Sequence, residues 1–226
     1  MIARALLLVG SPRGKRSTSF ALGSYLADRL SEKGVKVDTV ILVNAVRSEE
    51  GRQKLLSAAD DADLVVLAFP LYIDSLPASA TRALELVHEH RKAVTKPQSF
   101  AVIVNNGFPD PSHNLMAADI CRKFAADSGM GWAGSIRVSM GGAIDGRPLR
   151  EAGGMVKGLA RGLEMASASL AEGKLIPQEA EALASKPFMP LFLARLMMTA
   201  MGGRMWDSMA KANGALGRMW DRPYLP

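Results

Sequence analysis

Gly10–Ser19, GSPRGKRSTS, follows the apolar run Ala5–Val9 and leads into a segment with helical spacing. A buried strand that ends in a Gly/Pro turn, then offers three hydroxyls where a helix begins, meets the physical requirements of a phosphate cradle. Gly10 and Gly14 let the backbone turn tightly and approach a ligand, while Ser17, Thr18 and Ser19 supply hydroxyls that bond a phosphate or cap exposed amides. Arg13, Lys15 and Arg16 add positive charge, and charge-assisted bonds to phosphate are the stronger kind. Two readings fit this local pattern: the phosphate grip of a nucleotide-like cofactor, and a plain strand-to-helix connection with a Ser/Thr cap. A Walker A loop is excluded, because Gly10 and Gly14 enclose three residues rather than four and Arg16, not Ser or Thr, follows Lys15. The dinucleotide fingerprint G-x-G-x-x-G is absent as well.

Outward from that stretch, the chain alternates strand and helix signals. Arg4–Val9 is short and apolar, as a central parallel strand covered on both faces would be. Phe20, Leu22, Leu26 and Leu30 recur at helical spacing until Gly34. Val35–Val43 reads as a second strand nearer an edge, and Arg52–Ala59 as a short helix. Leu64–Phe69 is a third strand, followed by the loop Pro70–Pro77 and a helix over Ala78–Val94 with Pro77 at its first position. Ser99–Val104 is a fourth strand, with the loop Asn105–Asn114 and a helix over Leu115–Ser128 behind it. Ser135–Met140 is the fifth, with a glycine-rich loop over Gly141–Pro148 and a long helix to about Glu172. Five strands alternating with helices predict an α/β fold with an open parallel sheet wound on both sides. Ligands of such sheets sit beyond the carboxyl ends of the strands, so the loops to watch are Gly10–Ser19, Pro70–Pro77 and Asn105–Asn114.

Composition narrows the function classes. At 226 residues, 48% hydrophobic and 22% charged, the chain suits one folded domain with an appended tail rather than disorder. The single Cys121 excludes an internal disulfide framework, a four-thiolate zinc site and a self-contained iron–sulfur cluster, and a reducing cytoplasm is the expected location. The first apolar run is too short for a signal peptide, and no stretch reaches the roughly eighteen apolar residues of a spanning helix. Net charge is +6, yet the basic residues are scattered apart from Arg13–Arg16. Attraction of an anionic cofactor or substrate explains this better than nucleic-acid binding, which is not expected.

The second and third loops carry unusual residues for plain connections. In PLYIDSLP, Pro70 and Pro77 stiffen the loop while Leu71, Tyr72 and Ile73 present apolar surface suited to a flat ring with a polar rim, or else pack on the neighbouring helix. In NNGFPDPSHN, Gly107 between Asn106 and Phe108 marks a tight turn, and Asn105 or Asn106 offers the paired donor and acceptor of a pyrimidine-like ring edge. His113 lacks acidic or Cys partners at metal spacing, so a loop-anchoring or substrate-facing role is expected and no metal site. His88 and His90 lie on a polar helical stretch and are expected to face solvent.

The sequence resembles the flavodoxin-like NAD(P)H-dependent FMN reductase family, which includes quinone reductases. The matching segments are GSPRGKRSTS at Gly10–Ser19, FPLYIDSLPA at Phe69–Ala78, NNGFPDPSHN at Asn105–Asn114 and GMGWAGSIRVSMGGAI at Gly129–Ile144. The resemblance implies a flavodoxin-like sheet of strand order 2-1-3-4-5 and an FMN phosphate held by Ser11, Arg13, Ser17, Thr18 and Ser19. It places Pro70, Leu71, Tyr72 and Ile73 along the isoalloxazine and Asn105, Asn106, Gly107 and Phe108 over its other side. The implied reaction is hydride transfer from NAD(P)H to the flavin and onward to a small-molecule electron acceptor. Because the cofactor carries that chemistry, no dedicated acid, base or nucleophile is required, and Tyr72 is the sole catalytic candidate. Two further readings stand beside this one: a flavodoxin-type electron carrier serving a protein partner, which the basic charge disfavours, and a flavin-free binding domain on the same fold.

The departure from a minimal domain is the tail. The sequence divides into a flavin-binding domain over 1–173 and a Met-rich helical extension over 174–226, which holds seven of the 13 Met residues. Phe188–Met201 is almost wholly apolar, Gly202 and Gly203 are expected to break it, and Arg204–Leu216 reads as a second helix. The expectation is that this segment packs on the domain's own surface or on the partner of a homodimer. The alternatives are a hydrophobic lid for a lipophilic acceptor such as a quinone, or contact with a membrane surface.

Overall fold

The alternation of side chains along three apolar strands sets the architecture. In the computed structural model, which describes residues 1–93 and 96–222, β1 (Arg4–Val9) sends Ala5, Leu7 and Val9 to one face of the sheet and Leu6 and Leu8 to the other. β3 (Leu64–Pro70) and β4 (Ser99–Asn105) do the same, so all three are buried on both sides. β2 (Lys36–Ile41) and β5 (Gly131–Val138) form the edges of a five-stranded, all-parallel sheet in the order β2-β1-β3-β4-β5. The edge position of β2 and the doubly wound topology agree with the sequence reading.

Helices cover both faces. α1 (Thr18–Ser31) and α6 (Lys157–Ala171) pack on the face that holds Leu7, Val66 and Ile103. α2 (Leu42–Ala45), α3 (Glu49–Asp61), α4 (Ala78–Arg91) and α5 (Leu115–Asp127) cover the face that holds Leu67, Phe69 and Phe100. Where β1 gives way to the first loop, a Cβ on Gly10 would stand 2.9 Å from the Cβ of Phe69 and 3.0 Å from that of Ala80. Only glycine lets the strand end this close to β3 and α4.

Several boundaries differ from the sequence reading, each for a local reason. β2 stops at Ile41, two residues early, because Leu42–Ala45 turns into a short helix that buries Leu42 and Ala45. α3 begins at Glu49 rather than Arg52, since the Ser48 side chain accepts a hydrogen bond from the Gly51 N–H at 3.1 Å and Glu49 and Glu50 favour the positive helix end. Pro77 is the residue before α4, in extended conformation, not its first helical residue. The position Val94 lies outside the described residues. β5 starts at Gly131 and ends at Val138, and a register shift beside Phe100 and Ala101 accommodates Gly134 at φ +117°. The expected long helix after Pro148 is broken into short 3-10 turns before α6, with Gly153 at φ +71°.

His88 and His90 are partly buried rather than solvent-facing: the His88 Nδ1 lies 3.1 Å from Ser128 Oγ and the His90 Nε2 lies 2.8 Å from Asp60 Oδ2. Both hold α4 to its neighbours. The Cys121 thiol is buried in α5, which pushes its pKa up to about 12 and leaves it a core side chain rather than a nucleophile.

At the amino ends of the strands, Asp63 accepts hydrogen bonds from the Ala3 and Arg4 N–H groups at 3.0 Å and pairs with Lys96 at 3.1 Å. Burial alone would raise its pKa. The bonds from Arg4, Lys96 and Ala3 outweigh that and hold it below its ordinary 3.8. A lowered carboxylate pKa adds stability that is present above the unfolded value and is lost as pH falls through the folded one. Asp63→Asn is therefore expected to narrow the difference between urea midpoints measured at pH 7 and near pH 3. An unchanged difference would show that Asp63 contributes nothing to acid lability.

The chain divides into two units, Met1–Phe188 and Met189–Pro226. The division falls later than residue 174 because α7 (Gln178–Ser185) belongs to the first unit: it packs on α6 and β5, burying Ala180 and Ala184. Glu181 of α7 also pairs with Arg137 of β5 at 2.7 Å. In the second unit, α8 (Leu191–Ala212) runs straight through Gly202 and Gly203, so the expected break is absent and the two expected helices are one. Two glycines cost a helix about 2 kcal/mol relative to alanine, too little to stop one flanked by Leu, Met and Ala.

Candidate functional site

The strand order reverses between β1 and β3, and the loops at their carboxyl ends diverge there to leave a crevice. β4 continues the same edge. A cleft of about 260 Å³ lies in this position, lined by Ser11, Arg13, Ser17, Thr18 and Ser19 from the first loop, Pro70, Leu71 and Tyr72 from the second, and Asn105, Asn106 and Gly107 from the third. Eleven of the thirteen residues singled out by sequence thus meet around one space. Ile73 and Phe108 do not line it: Ile73 is fully exposed at a turn tip, and Phe108 packs on the exposed His113 ring at 5.0 Å.

Side-chain bonds tie the three loops into one floor. The Ser19 hydroxyl donates to Asn105 Oδ1 at 2.7 Å, and the Leu71 N–H donates to the Asn105 carbonyl at 2.8 Å. Asn106 donates through Nδ2 to Asn114 Oδ1 at 3.1 Å, and buried Asn114 donates in turn to the Val138 carbonyl at 3.2 Å. The Asn106 Oδ1 is buried with no hydrogen-bond partner among the described residues. A buried acceptor left bare costs on the order of 1–3 kcal/mol, so this atom awaits a donor.

In the first loop the capping reading of the sequence is what the structure shows. Ser17 is the N-cap of α1: its hydroxyl accepts from the Phe20 N–H at 3.1 Å and donates to the Gly14 carbonyl at 2.6 Å. The cap leaves the amides of Thr18 and Ser19 in the first helical turn, where no intrahelical carbonyl reaches them and the helix end is positive. Arg13 bonds Asp145 Oδ1 at 3.2 Å, a pair in which both side chains are more than half exposed. Exposed pairs of this kind contribute under about 1 kcal/mol, so the guanidinium is free to turn to a stronger anion.

The second loop is a tight hairpin. Tyr72 and Ser75 exchange backbone bonds at 2.9 and 3.1 Å, and Ile73 and Asp74 between them have φ of 49° and 57°. Positive φ is strained for a β-branched side chain. Among the described residues, the non-glycine residues with positive φ are Ile73, Asp74, Met140 and Asp145, and all four lie in loops at this edge of the sheet.

One part of the site was missed. Gly141 and Gly142, after β5, line the cleft too: Gly141 donates its N–H to the Asn106 carbonyl at 2.7 Å and accepts from the Thr18 hydroxyl at 2.9 Å. The signal was present as the Gly141–Pro148 glycine cluster, but nothing in one dimension says that this loop after β5, the fifth loop, folds back over the first. Among the described residues no group of three or more His, Cys, Asp and Glu side chains is placed to hold a metal ion, and no helix is long and apolar enough to cross a membrane.

Comparison with known proteins agrees with this geometry. Residues 3–110 match the family model described as "Flavodoxin-like fold". No curated protein matches the chain by sequence. Among solved structures, an FMN-dependent NADH-azoreductase from Bacillus anthracis, in complex with FMN, aligns over 74% of this chain and 99% of its own at 12% identity and a TM-score of 0.52. An NADH:FMN oxidoreductase, EMOB, in its apo form aligns over 79% and 94% at 15% identity and a TM-score of 0.59. RosB, solved with the intermediate 8-demethyl-8-formylriboflavin-5'-phosphate, aligns over 90% and 87% at 14% identity and a TM-score of 0.56. At such identities the likeness speaks for the fold alone. Family model, strand order and solved structures lead to one conclusion: this chain is a protein of the flavodoxin-like fold.

Proposed function

We propose that the chain is an FMN-dependent NAD(P)H oxidoreductase that passes two electrons from a nicotinamide to a flavin, quinone or similar small acceptor. The observation that carries this reading is the cleft at the switch point, where a donor-rich helix end, an apolar hairpin and an amide-bearing loop surround one space. The residues fit the group. The α1 amides, the Ser11 hydroxyl and Arg13 suit a phosphate dianion. Leu71 and Tyr72 suit the flat face of an isoalloxazine, and the bare Asn106 Oδ1 suits a ring N–H.

When bound, FMN would supply the hydride chemistry. What this chain contributes is position and exclusion of water. Asn105, fixed by Ser19 and Leu71, holds the third loop against the first. Tyr72, about half exposed and braced by its bond to Ser75, stands at the mouth, where a second substrate would stack. Within this reading the acceptor is a small molecule and the protein a cytoplasmic homodimer; light scattering on the purified protein tests the dimer.

Asp145 sets the phosphate affinity against this background. It occupies Arg13 and adds negative charge beside the loop. Asp145→Asn is expected to tighten FMN about three- to tenfold at low salt, with the gain shrinking as salt is raised. Calorimetric titration at two ionic strengths reads this directly, and weaker binding in the variant would mean that Asp145 positions Arg13 instead.

The function itself is tested by incubating the purified protein with FMN, desalting, and adding NADH or NADPH without oxygen. A retained yellow band that bleaches supports the reading. A retained band that does not bleach favours the electron carrier, and no retained flavin overturns the flavin assignment.

A further inference from the structure

Nine of the eighteen large apolar side chains exposed among the described residues fall between Leu191 and Trp220. In the second half of α8, Met205, Trp206 and Met209 share one face at helical spacing and are 66%, 58% and 54% exposed, while Arg204, Asp207 and Lys211 occupy the opposite face. In the first half Leu191, Phe192, Leu193 and Leu196 are exposed around the helix, with Phe192 nearest the side of Trp206. A soluble monomer does not leave a contiguous apolar face of this kind to water.

Three observations say what covers it. Over 189–226 the sequence holds five basic residues (Arg195, Arg204, Lys211, Arg218, Arg222) and two acidic ones (Asp207, Asp221), a net charge of 5 − 2 = +3. Like charge on two copies of the segment opposes self-pairing and matches a negatively charged surface. Two of the three Trp residues of the chain, Trp206 and Trp220, are exposed here, and the amphipathic indole ring favours the boundary between headgroups and acyl chains. Finally, α8 is 22 residues long yet not apolar enough to cross a bilayer. Of the two ways to meet a bilayer, that leaves resting on its surface rather than crossing it.

We propose that the segment after Phe188 docks the protein on an anionic lipid surface, with Phe192, Met205, Trp206, Met209 and Trp220 supplying the apolar contact. The inference does not depend on the flavin reading. It is tested by flotation of the full-length protein with extruded vesicles of phosphatidylcholine alone, or of phosphatidylcholine with a quarter phosphatidylglycerol. The expected result is co-flotation with the anionic vesicles, weaker with the neutral ones and reduced by high salt. A Trp206→Ala, Trp220→Ala double variant should partition at least about tenfold more weakly, and an Arg204→Glu, Lys211→Glu variant should lose about fivefold or more per charge on anionic vesicles. Both should keep the parent's urea midpoint and FMN content. Absence of vesicle binding by the parent overturns the proposal, as does equal binding by the variants. So does conversion of a lipid-free dimer to monomer by the Trp substitutions, which would make a second copy the occupant, or a changed KM for a quinone with vesicle binding intact, which would make the segment a lid.

Discussion

Gly146→Val is expected to raise the Kd for FMN at least about thirtyfold, equivalent to roughly 2 kcal/mol. Gly146 has φ +73°, and a Cβ built on it would lie 2.4 Å from the Arg16 carbonyl oxygen and 2.8 Å from its carbon. Both neighbours are backbone atoms, so no side chain can swing aside. A β-branched residue there carries a left-handed backbone at a cost of about 1–3 kcal/mol and forces the Gly141–Pro148 loop away from the first loop. The α1 amino end then loses the register set by the Thr18 bond to Gly141, and the two sides of the phosphate grip separate. Flavin fluorescence titration checks the affinity and urea denaturation the fold. A Kd within threefold of the parent, at any stability, would mean that the fifth loop takes no part in binding.

Arg91→Met should act at the other end of the sheet, on stability alone. Arg91 is 7% exposed, and its guanidinium donates to the Ser128 carbonyl at 2.8 Å, the Lys96 carbonyl at 3.2 Å and the Gln98 side chain. Gln98 in turn donates to the Ala59 carbonyl and to the Ala62 carbonyl at 2.7 Å. One cation therefore joins the ends of α3, α4 and α5 to the start of β4. Burial pulls its pKa down, but the carbonyls around it supply the acceptors that keep a buried cation tolerable. Methionine fills much of the volume and leaves those oxygens bare, so a loss of about 3–4 kcal/mol is expected. For a unit of this size that lowers Tm by roughly 6–15 °C. FMN affinity should stay within twofold, because the network sits at the amino ends of the strands and the cleft at their carboxyl ends. A Tm shift below about 2 °C would contradict the assignment.

The core strands were legible because their burial is two-sided. Leu6–Val9, Leu64–Phe69 and Phe100–Val104 are apolar without alternation, a pattern that only a strand covered on both faces requires. The first three loops of the cleft were legible for a related reason: each follows such a strand and carries Gly, Pro, Asn or hydroxyl residues beyond what a connection needs. The edges were less so. β5 begins four residues earlier than its apolar pattern suggests, since Gly131 and Gly134 give no hydrophobic signal and the pairing with β4 holds them. α7 was missed because its buried face consists of two alanines, Ala180 and Ala184, packed where Gly162 of α6 leaves room.

The amino-acid sequence by itself determined the parallel doubly wound sheet and the switch-point loops, because these follow from local periodicity and residue type. Tertiary structure alone decided that the fifth loop closes on the first, that Ile73 and Phe108 turn away from the cleft while Asn106 keeps a bare oxygen inside it, and that α8 ignores its two glycines. Each of these depends on contacts between residues far apart in the chain, or on weighing a local penalty of about 2 kcal/mol against a whole helix. Neither quantity is written in the neighbours of the residue concerned.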